Sequence, residues 1–219
     1  MSVYTAVIVE PRKHPALSFV LYNVVTSLSA DWNILIFHGK ENREYVEQII
    51  STMNDPSRFL KPIQLDIDNL SVEQYNAVLM NHAFYRCIPT ETILIFQTDT
   101  LILEPSVLND FLDYDYVGAP WKSGQVGNGG LSLRKKSKML AIASAVNPFH
   151  VNEDMYFSMQ KVIPLKKPTF QEAKRFAVET VFYEAPFGIH APWKHLREED
   201  MRILKEKYPV IQELIRLLF

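Results

Sequence analysis

The sequence predicts an α/β fold, with one domain built on a mostly parallel central sheet that is flanked by helices. Continuous runs of β-branched and aromatic residues, such as Thr92–Phe96, are typical of strands buried on both faces. Apolar residues at helical spacing follow the first two runs, and this β-α-β-α order indicates a doubly wound parallel sheet. The chain has 219 residues, 47% of them apolar, which is enough for a proper core.

The first part of the chain alternates strands and helices. Thr5–Val9 and Asn33–His38 are predicted to be buried strands, and each is followed by a helical pattern, at Leu17–Leu28 and at Arg43–Met53. Pro62–Ile67 has a weaker, alternating strand pattern. We therefore expect three of the strands of the sheet within the first third of the chain.

A further helix is predicted from Ser71 to Arg86. Ser71, with Gln74 three residues later, matches a capping box, a pattern that satisfies N–H groups left unpaired at a helix start. Pro89 ends the helical pattern before the strand Thr92–Phe96.

The strand Thr92–Phe96 stops being apolar abruptly, because Gln97, Thr98 and Asp99 follow it. In open α/β sheets, ligands bind at the carboxyl ends of the strands. A carboxylate at that position can hold a cation that in turn binds phosphate oxygens. A short helical pattern then leads to a second strand at Asp115–Gly118.

Five of the seven glycines lie between Gly118 and Gly130. An ordinary surface turn would explain them, since glycine tolerates a positive φ anywhere. However, Gly127–Gly130 runs directly into an alternating strand, Leu131–Arg134, which indicates that the backbone approaches a ligand closely at the edge of the sheet. Lys135–Val146 is predicted to be the next helix.

An acidic pair stands at the start of a later predicted helix. Asn152 opens this helix, and Glu153 and Asp154 occupy its first turn. Acidic residues are common in a first turn because they complement the helix dipole, so the position of the pair has a structural explanation. Short strand-like pieces follow at Phe176–Val178 and Thr180–Tyr183.

The C-terminal segment is charged and predicted to be helical from Leu196 onward. An apolar residue recurs every three or four positions, which predicts a packed face, and Pro209 argues against one straight helix. No linker composition divides the chain. The sequence therefore predicts one domain at residues 1–193 and a helical extension at 194–219 that packs on it, with dimerisation or membrane-surface contact as alternatives.

Composition excludes several classes of protein. The net charge is −2 and no run of basic residues is longer than Arg134–Lys136, so we expect no nucleic-acid partner. One cysteine, Cys87, excludes an intramolecular disulfide framework and suits a reducing compartment. No window reaches the ~20 apolar residues of a membrane span. Glu10 precedes the first basic patch, which argues against a signal peptide. We expect a cytoplasmic protein.

Five motifs together resemble a known family. In chain order they are FQTD (96–99), YDYVGAPW (114–121), VGNGGLSLR (126–134), NEDMYF (152–157) and FGIHAPW (187–193). As an ordered set that spans about half the chain, they resemble a family of small glycosyltransferases with a GT-A-like fold, long catalogued only as a domain of unknown function. The resemblance implies transfer of a hexosyl or deoxyhexosyl group from a nucleotide-diphosphate donor to a hydroxyl of a glycan or other acceptor.

The resemblance also implies roles for four residues. Asp154 would be the catalytic base of an inverting reaction, with Glu153 binding acceptor hydroxyls or supporting the loop. His190 stands where GT-A enzymes commonly place a histidine on the metal or the donor diphosphate, although a lone histidine in a Pro-rich apolar loop is more often a packed residue. A divalent cation, Mn²⁺ or Mg²⁺, would be held by Asp99 and His190.

The donor site would include Arg12, Lys13, Gln97, Thr98 and Asp99. Arg12 and Lys13 follow the first strand and are placed to meet phosphate or base, although basic residues in a loop are usually just solvated. Gln97 occupies the first acidic position of the usual Asp-X-Asp arrangement and brings no charge, so metal affinity is expected to be low and assisted by the donor.

The acceptor side would include the glycine-rich segment and two tryptophans. Asn128, Gly129 and Gly130 would lie under the acceptor and the donor sugar. Trp121 and Trp193, each after Ala-Pro, are either core residues or platforms on which a sugar stacks.

Two other functions have to be weighed. A non-catalytic nucleotide-sugar or carbohydrate-binding module of the same fold would share every motif. A nucleotidyltransferase would share the sheet and the metal chemistry, but no glycine-rich, basic phosphate loop follows the first strand, and only Gly39 precedes residue 118.

Overall fold

The structure is a computed structural model, and it describes residues 3–53, 59–147 and 151–219. The strands are β1 Tyr4–Val9, β2 Trp32–His38, β3 Leu60–Gln64, β4 Thr92–Phe96, β5 Thr100–Ile102, β6 Tyr116–Gly118, β7 Leu131–Lys135, β8 Ala177–Val178 and β9 Gly188–His190. The α-helices are α1 Leu17–Ser27, α2 Arg43–Met53, α3 Val72–Met80, α4 His82–Arg86, α5 Lys136–Ala145, α6 Glu153–Met159, α7 Phe170–Phe176, α8 Glu198–Lys207 and α9 Val210–Leu218. Two 3₁₀ helices span Pro105–Phe111 and Pro192–Lys194.

The central sheet is mostly parallel, as the sequence predicts. Its strand order is β3-β2-β1-β4-β7-β6, with β3, β2, β1 and β4 parallel and β7 antiparallel to both of its neighbours. Ala6 of β1 lies opposite Ile34 of β2 and Leu94 of β4, and all three are fully buried. Burial on both faces explains why these strands are continuous apolar runs.

Alternate residues of each central strand point to opposite sides of the sheet and pack into two separate cores. Ala6 and Ile8 belong to one core, together with α1, α7 and the C-terminal helices. Val7 and Val9 belong to the other, together with α4, α5 and α6. The C-terminal helices contribute Met201, Leu204, Ile211 and Leu214 to the first core. The apolar stripe predicted after Leu196 therefore packs on the rest of the chain.

A second, three-stranded sheet has the order β5-β9-β8. The strand-like piece expected at Phe176–Val178 corresponds to β8, whereas the sequence predicted neither β5 nor β9. These two strands are three residues long, too short to show a periodicity. β5 pairs with β9 in antiparallel fashion, with Thr100 opposite His190. The backbone N–H of Ala191 also donates to the carbonyl of Asp99 at 2.9 Å. This small sheet is what brings His190 beside Asp99.

The single helix predicted from Ser71 to Arg86 is wrong, because two helices occupy this stretch. Asn81 interrupts it with an extended backbone (ψ 134°), and its side chain accepts a hydrogen bond from the N–H of Ala83 at 2.8 Å. Asn81 therefore caps α4. The capping box of Ser71 and Gln74 is confirmed.

Two strand predictions also need correction. The strand expected at Pro62–Ile67 begins and ends earlier, at Leu60–Gln64, and it lies at an edge of the sheet, where proline is tolerated. Thr180–Tyr183 forms bends rather than a strand. Phe182 and Tyr183 pack partly against the first core, so their apolar character reflects packing instead of sheet pairing.

Candidate active site

A cleft of about 650 Å³ opens at the carboxyl ends of β1 and β4. The residues predicted from the sequence that line it are Arg12, Gln97, Thr98, Asp99, Asn128, Gly129, Gly130, Glu153, Asp154, His190 and Trp193. Lys13 and Trp121 are not among its lining residues. One hollow therefore holds both carboxylates, Asp99 and Asp154, to which the sequence assigns chemistry.

Asp99 forms ion pairs with two cationic side chains. Its Oδ1 lies 3.3 Å from Nε2 of His190, and its Oδ2 lies 3.0 Å from Nζ of Lys194. Burial raises the pKa of Asp99, but His190 and then Lys194 outweigh it, so this pKa lies well below its ordinary value. Asp99 is therefore an anion at any physiological pH.

His190 lies between two carboxylates. Its Nδ1 is 3.3 Å from Oε1 of Glu179, on the other edge of the ring from Asp99. Burial lowers the pKa of His190, but Asp99 and Glu179 outweigh it and raise this pKa to about 9. The imidazole is therefore positively charged at neutral pH.

The residue after His190 has a strained backbone. Ala191 has φ 44° and ψ 41°, the left-handed region, which non-glycine residues adopt at a cost of order 1–3 kcal/mol. The chain turns there from β9 into the 3₁₀ helix that carries Trp193 and Lys194. This turn lets His190 and Lys194 reach the same carboxylate.

Gln97 connects His190 with a tyrosine of α3. Its Oε1 lies 3.0 Å from Nε2 of His190, and its Nε2 donates to the hydroxyl of Tyr75 at 2.9 Å. An amide can accept on one side and donate on the other, which a carboxylate cannot do. Gln97 is thus fixed in one orientation at the position of the first acid of the usual Asp-X-Asp arrangement.

Oxygen and nitrogen donors converge at this corner of the cleft. They are Oδ1 of Asp99, Nε2 of His190 and Oε1 of Gln97, the hard and borderline donors that Mn²⁺ or Mg²⁺ accepts. Over residues 3–53, 59–147 and 151–219, however, no three His, Cys, Asp or Glu side chains cluster closely enough to hold a metal ion. The residues therefore fit a cation only if a ligand supplies the remaining donors.

Asp154 lies at the first turn of α6 and lines the same cleft. Burial, and after it the negative charge of Glu153, raises the pKa of Asp154 to about 6, whereas an unperturbed aspartate titrates at about 3.9. A favourable helix dipole alone would lower it. The environment of Asp154 thus differs from that of an ordinary acidic residue at a helix start.

Glu153 is held away from the solvent by a buried arginine. Nη1 of Arg134 lies 2.6 Å from Oε2 of Glu153, and Nη2 donates to Oε1 at 2.9 Å. Both side chains are almost completely buried. Of the two roles that the sequence left open for Glu153, this contact favours support of the loop over binding of acceptor hydroxyls.

Two glycines are required by the side chains packed on them. An ideal Cβ on Gly130 would overlap the ring of His190, and one on Gly129 would overlap Oε1 of Glu153 and lie 2.9 Å from Cβ of Asp154. Both glycines also line the cleft. The sequence predicted close approach to a ligand, and that stays a prediction; the neighbours that exclude a Cβ here are side chains of the chain itself.

The side chain of Asn128 holds the glycine-rich segment, residues 127–130, in place through two hydrogen bonds. Its Nδ2 donates to Oε1 of Glu179 at 2.9 Å, and its Oδ1 accepts from the N–H of Gly130 at 3.1 Å. Asn128 is buried, so it organises the cleft floor as well as lining the cleft.

The loop after β1 contributes a further cation. Arg12 lines the cleft, is half exposed, and makes a two-point contact with Glu10 through Nε at 2.8 Å and Nη2 at 2.7 Å. His14, which the sequence did not single out, lies beside it, with Nε2 3.5 Å from the hydroxyl of Thr98. Arg12, paired with Glu10, therefore places a positive charge on the side of the cleft formed by β1, whereas burial lowers the pKa of His14 and leaves its ring neutral at neutral pH.

Several residues of the site were missed from the sequence. Lys194 directly follows the FGIHAPW motif, so its position was a usable signal. Glu179 and Tyr75 stand in no motif, and their roles follow only from the pairing of β8 with β9 and from the packing of α3 against the cleft. Arg134 was treated as part of an alternating strand, in which a fully buried charge could not be foreseen.

Residues 60–190 match the model of the family described as "Protein of unknown function (DUF5672)", a match over more than half of the chain. The chain belongs to the DUF5672 family. The matched region contains four strands of the central sheet, β3, β4, β6 and β7, together with Asp99, Asp154 and His190.

The DUF5672 chain is similar in fold to solved glycosyltransferase structures. GlyE of Streptococcus pneumoniae TIGR4 matches with a TM-score of 0.61 and 9% identity, over 99% of this chain and 64% of that one. TarS of S. aureus, in complex with UDP-GlcNAc, matches at 0.54 and 10% identity, over 98% of this chain and 72% of that one. The mannosyltransferase PcManGT of Pyrobaculum calidifontis, with GDP-Man and Mn²⁺, matches at 0.52 and 13% identity, over 70% and 49%.

These likenesses confirm the predicted GT-A-like α/β fold. The DUF5672 chain corresponds to only 64% of the length of the GlyE structure. No curated protein sequence is significantly similar to it. Within the part of the chain that the structure describes, no helix combines the length and apolar character needed to cross a membrane.

Proposed function

We propose that the DUF5672 chain is an inverting glycosyltransferase that moves a sugar from a nucleoside-diphosphate donor to a hydroxyl group of a glycan or other acceptor. One observation carries the proposal above all others. Asp99, held by cationic side chains, and Asp154, with a pKa raised to about 6, line the same cleft at the carboxyl ends of the central strands.

The donor diphosphate would bind on the side of Asp99. Lys194 and Arg12 both line the cleft with half-exposed side chains, and their charges can receive phosphate oxygens. Asp99 and His190, with Gln97, would hold a divalent cation whose open positions the diphosphate completes, and PcManGT, bound to GDP-Man and Mn²⁺, supports this assignment. Such a cation supplies positive charge at the leaving group.

Asp154 would act as the general base. Its carboxylate accepts the proton of the acceptor hydroxyl while that oxygen attacks the anomeric carbon from the face opposite the diphosphate. The new glycosidic bond forms as the bond to the phosphate oxygen breaks, and the configuration inverts. A pKa of about 6 suits this role, since the group is ionised at neutral pH and remains more basic than an ordinary aspartate.

The leaving diphosphate develops negative charge in this step. Lys194 would neutralise it directly, because its ammonium already lies 3.0 Å from Asp99 and half of its side chain is exposed to the cleft and solvent. The residues that hold the two reactants would thus come from different parts of the fold. The segments after β1 and β4, together with β9 and the 3₁₀ helix after it, would bind the donor, and α6 would meet the acceptor.

The decisive experiment is a transfer and hydrolysis assay over a panel of nucleotide sugars, with Mn²⁺ or with EDTA, for the wild type and for Asp154→Asn. The proposal predicts turnover with a subset of donors, its loss in Asp154→Asn, and retained donor binding in that variant. Donor binding with no turnover by the wild type would instead support a non-catalytic nucleotide-sugar module. Turnover equal in Mn²⁺ and EDTA would remove the metal from the proposal and leave Lys194 and His190 as the charges on the leaving group.

A further inference from the structure

Arg134 has the largest fully buried side chain of the described residues, and all of its N–H groups have partners. Nε donates to Oγ of Ser132 at 2.9 Å. Nη1 donates to the hydroxyl of Tyr85 at 3.2 Å and to Glu153 at 2.6 Å. Nη2 donates to Glu153 at 2.9 Å and to the carbonyl of Gly129 at 3.5 Å. A guanidinium whose N–H groups all have partners cannot rotate without breaking several hydrogen bonds.

Aromatic rings close the remaining faces of the guanidinium. Its Cζ lies 5.1 Å from the ring centre of Tyr116 and 5.6 Å from that of Phe157. Cation–π contacts are stronger in a desolvated site than at an exposed one. Arg134 is thus fixed relative to β6, to β7 and to α6.

Stability alone is a weak reason for such a pair. Buried ion pairs can often be replaced by apolar residues of similar volume without loss of stability, because desolvation offsets the attraction between the charges. What the pair does secure is position. It connects the carbonyl of Gly129, on the cleft floor, to the residue directly before Asp154.

We infer that Arg134 and Glu153 are a positioning pair for Asp154: they fix the start of α6 against the glycine-rich segment and keep one negative charge next to the base. This inference rests on the proposed function only where it calls Asp154 the base. The contacts around Asp154 agree with it. Its Oδ1 accepts the N–H of Met155 at 2.7 Å, and the place that a Cβ of Gly129 would occupy lies against Glu153 and Asp154.

The charge of Glu153 has a direct consequence for Asp154. After burial, it is the strongest influence that raises the pKa of Asp154, and the opposing effect of Arg134 is smaller. The pair as a whole therefore makes Asp154 a stronger base than burial alone would. A purely structural pair, linking β7 to α6, would leave the proton affinity of Asp154 unchanged when both partners are replaced by neutral residues.

The test is a titration of the Asp154 carboxyl carbon by NMR in protein labelled with ¹³C-aspartate, with the signal assigned from its absence in Asp154→Asn. The wild type is expected to titrate near pH 6. Glu153→Gln is expected to titrate about one pH unit lower, because it removes a like charge and leaves that of Arg134. The double variant R134M/E153M is expected to fall between the two. Glu44→Gln, an exposed glutamate of α2, serves as the matched control and should match the wild type.

R134M/E153M also covers the case in which Glu153→Gln does not fold, since it leaves no unpaired buried charge. An inflection that stays at the wild-type value in the double variant, in protein with an unchanged melting temperature, would overturn the inference. This titration needs no donor or acceptor. The two proposals can therefore fail separately. If the variants shift the midpoint of the Asp154 titration but the wild type turns over no donor, the glycosyltransferase proposal is refuted and the effect of the pair on Asp154 stands.

Discussion

Oε1 of Glu179 lies 3.3 Å from Nδ1 of His190, on the side of the ring that faces away from Asp99. Glu179 is itself buried, and the same oxygen accepts a hydrogen bond from Asn128 at 2.9 Å. A carboxylate of the segment after β8 therefore contacts His190 on the side of the ring opposite Asp99 and restricts the orientation of the ring. Carboxylates in this position behind a histidine hold its ring in the orientation that presents the other nitrogen to a ligand.

Glu179→Gln is expected to weaken Mn²⁺-dependent binding of nucleoside diphosphates by about 10–100-fold, the usual effect of removing a carboxylate behind a metal-binding histidine. The glutamine can still bond Asn128, so folding should be retained. Isothermal titration calorimetry with GDP and UDP, with Mn²⁺ and with EDTA, measures the effect. Glu213→Gln, at an exposed position of α9, is the control. Equal affinity in both variants would show that Glu179 does not act through His190.

Lys194→Met is expected to lower kcat for donor cleavage by about 10–100-fold, somewhat less than a fully buried charge stabiliser would contribute, because the side chain is half exposed. Lys13→Met is the matched control. The sequence assigned Lys13 to the donor site, but it does not line the cleft. Steady-state kinetics on any active donor compare the two variants. If Lys13→Met lowers kcat as much as Lys194→Met does, the phosphate contact would have to be assigned to the loop after β1.

Gly130→Ala is expected to reduce donor affinity and to destabilise the fold by about 1–3 kcal/mol, since its Cβ would overlap the buried ring of His190. Gly124→Ala provides a contrast. Gly124 has φ +88° and open space around its Cβ, so the substitution strains the backbone without displacing any site residue. Thermal unfolding and donor titration of both variants distinguish the effect of backbone strain from the effect of displacing the ring of His190. Unchanged donor affinity in a folded Gly130→Ala protein would contradict this account of the glycine.

The strands and the main helices could be predicted from the sequence because their signals are local. Continuous apolar runs of five or more residues predict β1, β2 and β4, and apolar residues at helical spacing predict α1, without reference to the rest of the chain. The motifs likewise located Asp99, Asp154 and His190. The contacts that tune these residues are not local: Glu179 reaches His190 through a three-residue strand, and Lys194 depends on a left-handed Ala191. Asn81 shows the same limit, since only its side-chain bond to Ala83 divides one predicted helix into two.

The pH dependence of turnover follows from the pKa of Asp154. A general base must be deprotonated, so kcat/KM is expected to rise about tenfold per pH unit below about pH 6 and to level off above pH 7. Initial rates between pH 4.5 and 8.5, with donor well below KM, measure this rise of kcat/KM with pH. The residual rate of Asp154→Asn should not show it. If kcat/KM of that variant rises over the same pH range, the pH dependence belongs to another group.

Asp154→Asn is also expected to be more stable than the wild type at neutral pH, and this prediction needs no substrate. The folded-state pKa of about 6 exceeds the unfolded value of about 3.9, so the folded protein keeps a proton that the unfolded chain has lost between about pH 4 and pH 6. Wild-type stability therefore falls as the pH rises through this window, and above it the buried charge is a constant penalty. Asparagine never carries that charge.

With the partial exposure of Asp154 taken into account, the penalty is of order 1–2 kcal/mol, which corresponds to a gain of roughly 2–8 °C in Tm for a chain of this size. The gain should be present at pH 7.5 and vanish near pH 4. Calorimetry at both pH values measures it, with the exposed Asp113→Asn as control. A Tm difference independent of pH would mean that asparagine changes packing or hydrogen bonding at this position rather than the cost of a buried charge. In that case the use of Asp154 as a base would no longer explain why the protein keeps a destabilising aspartate at the cleft.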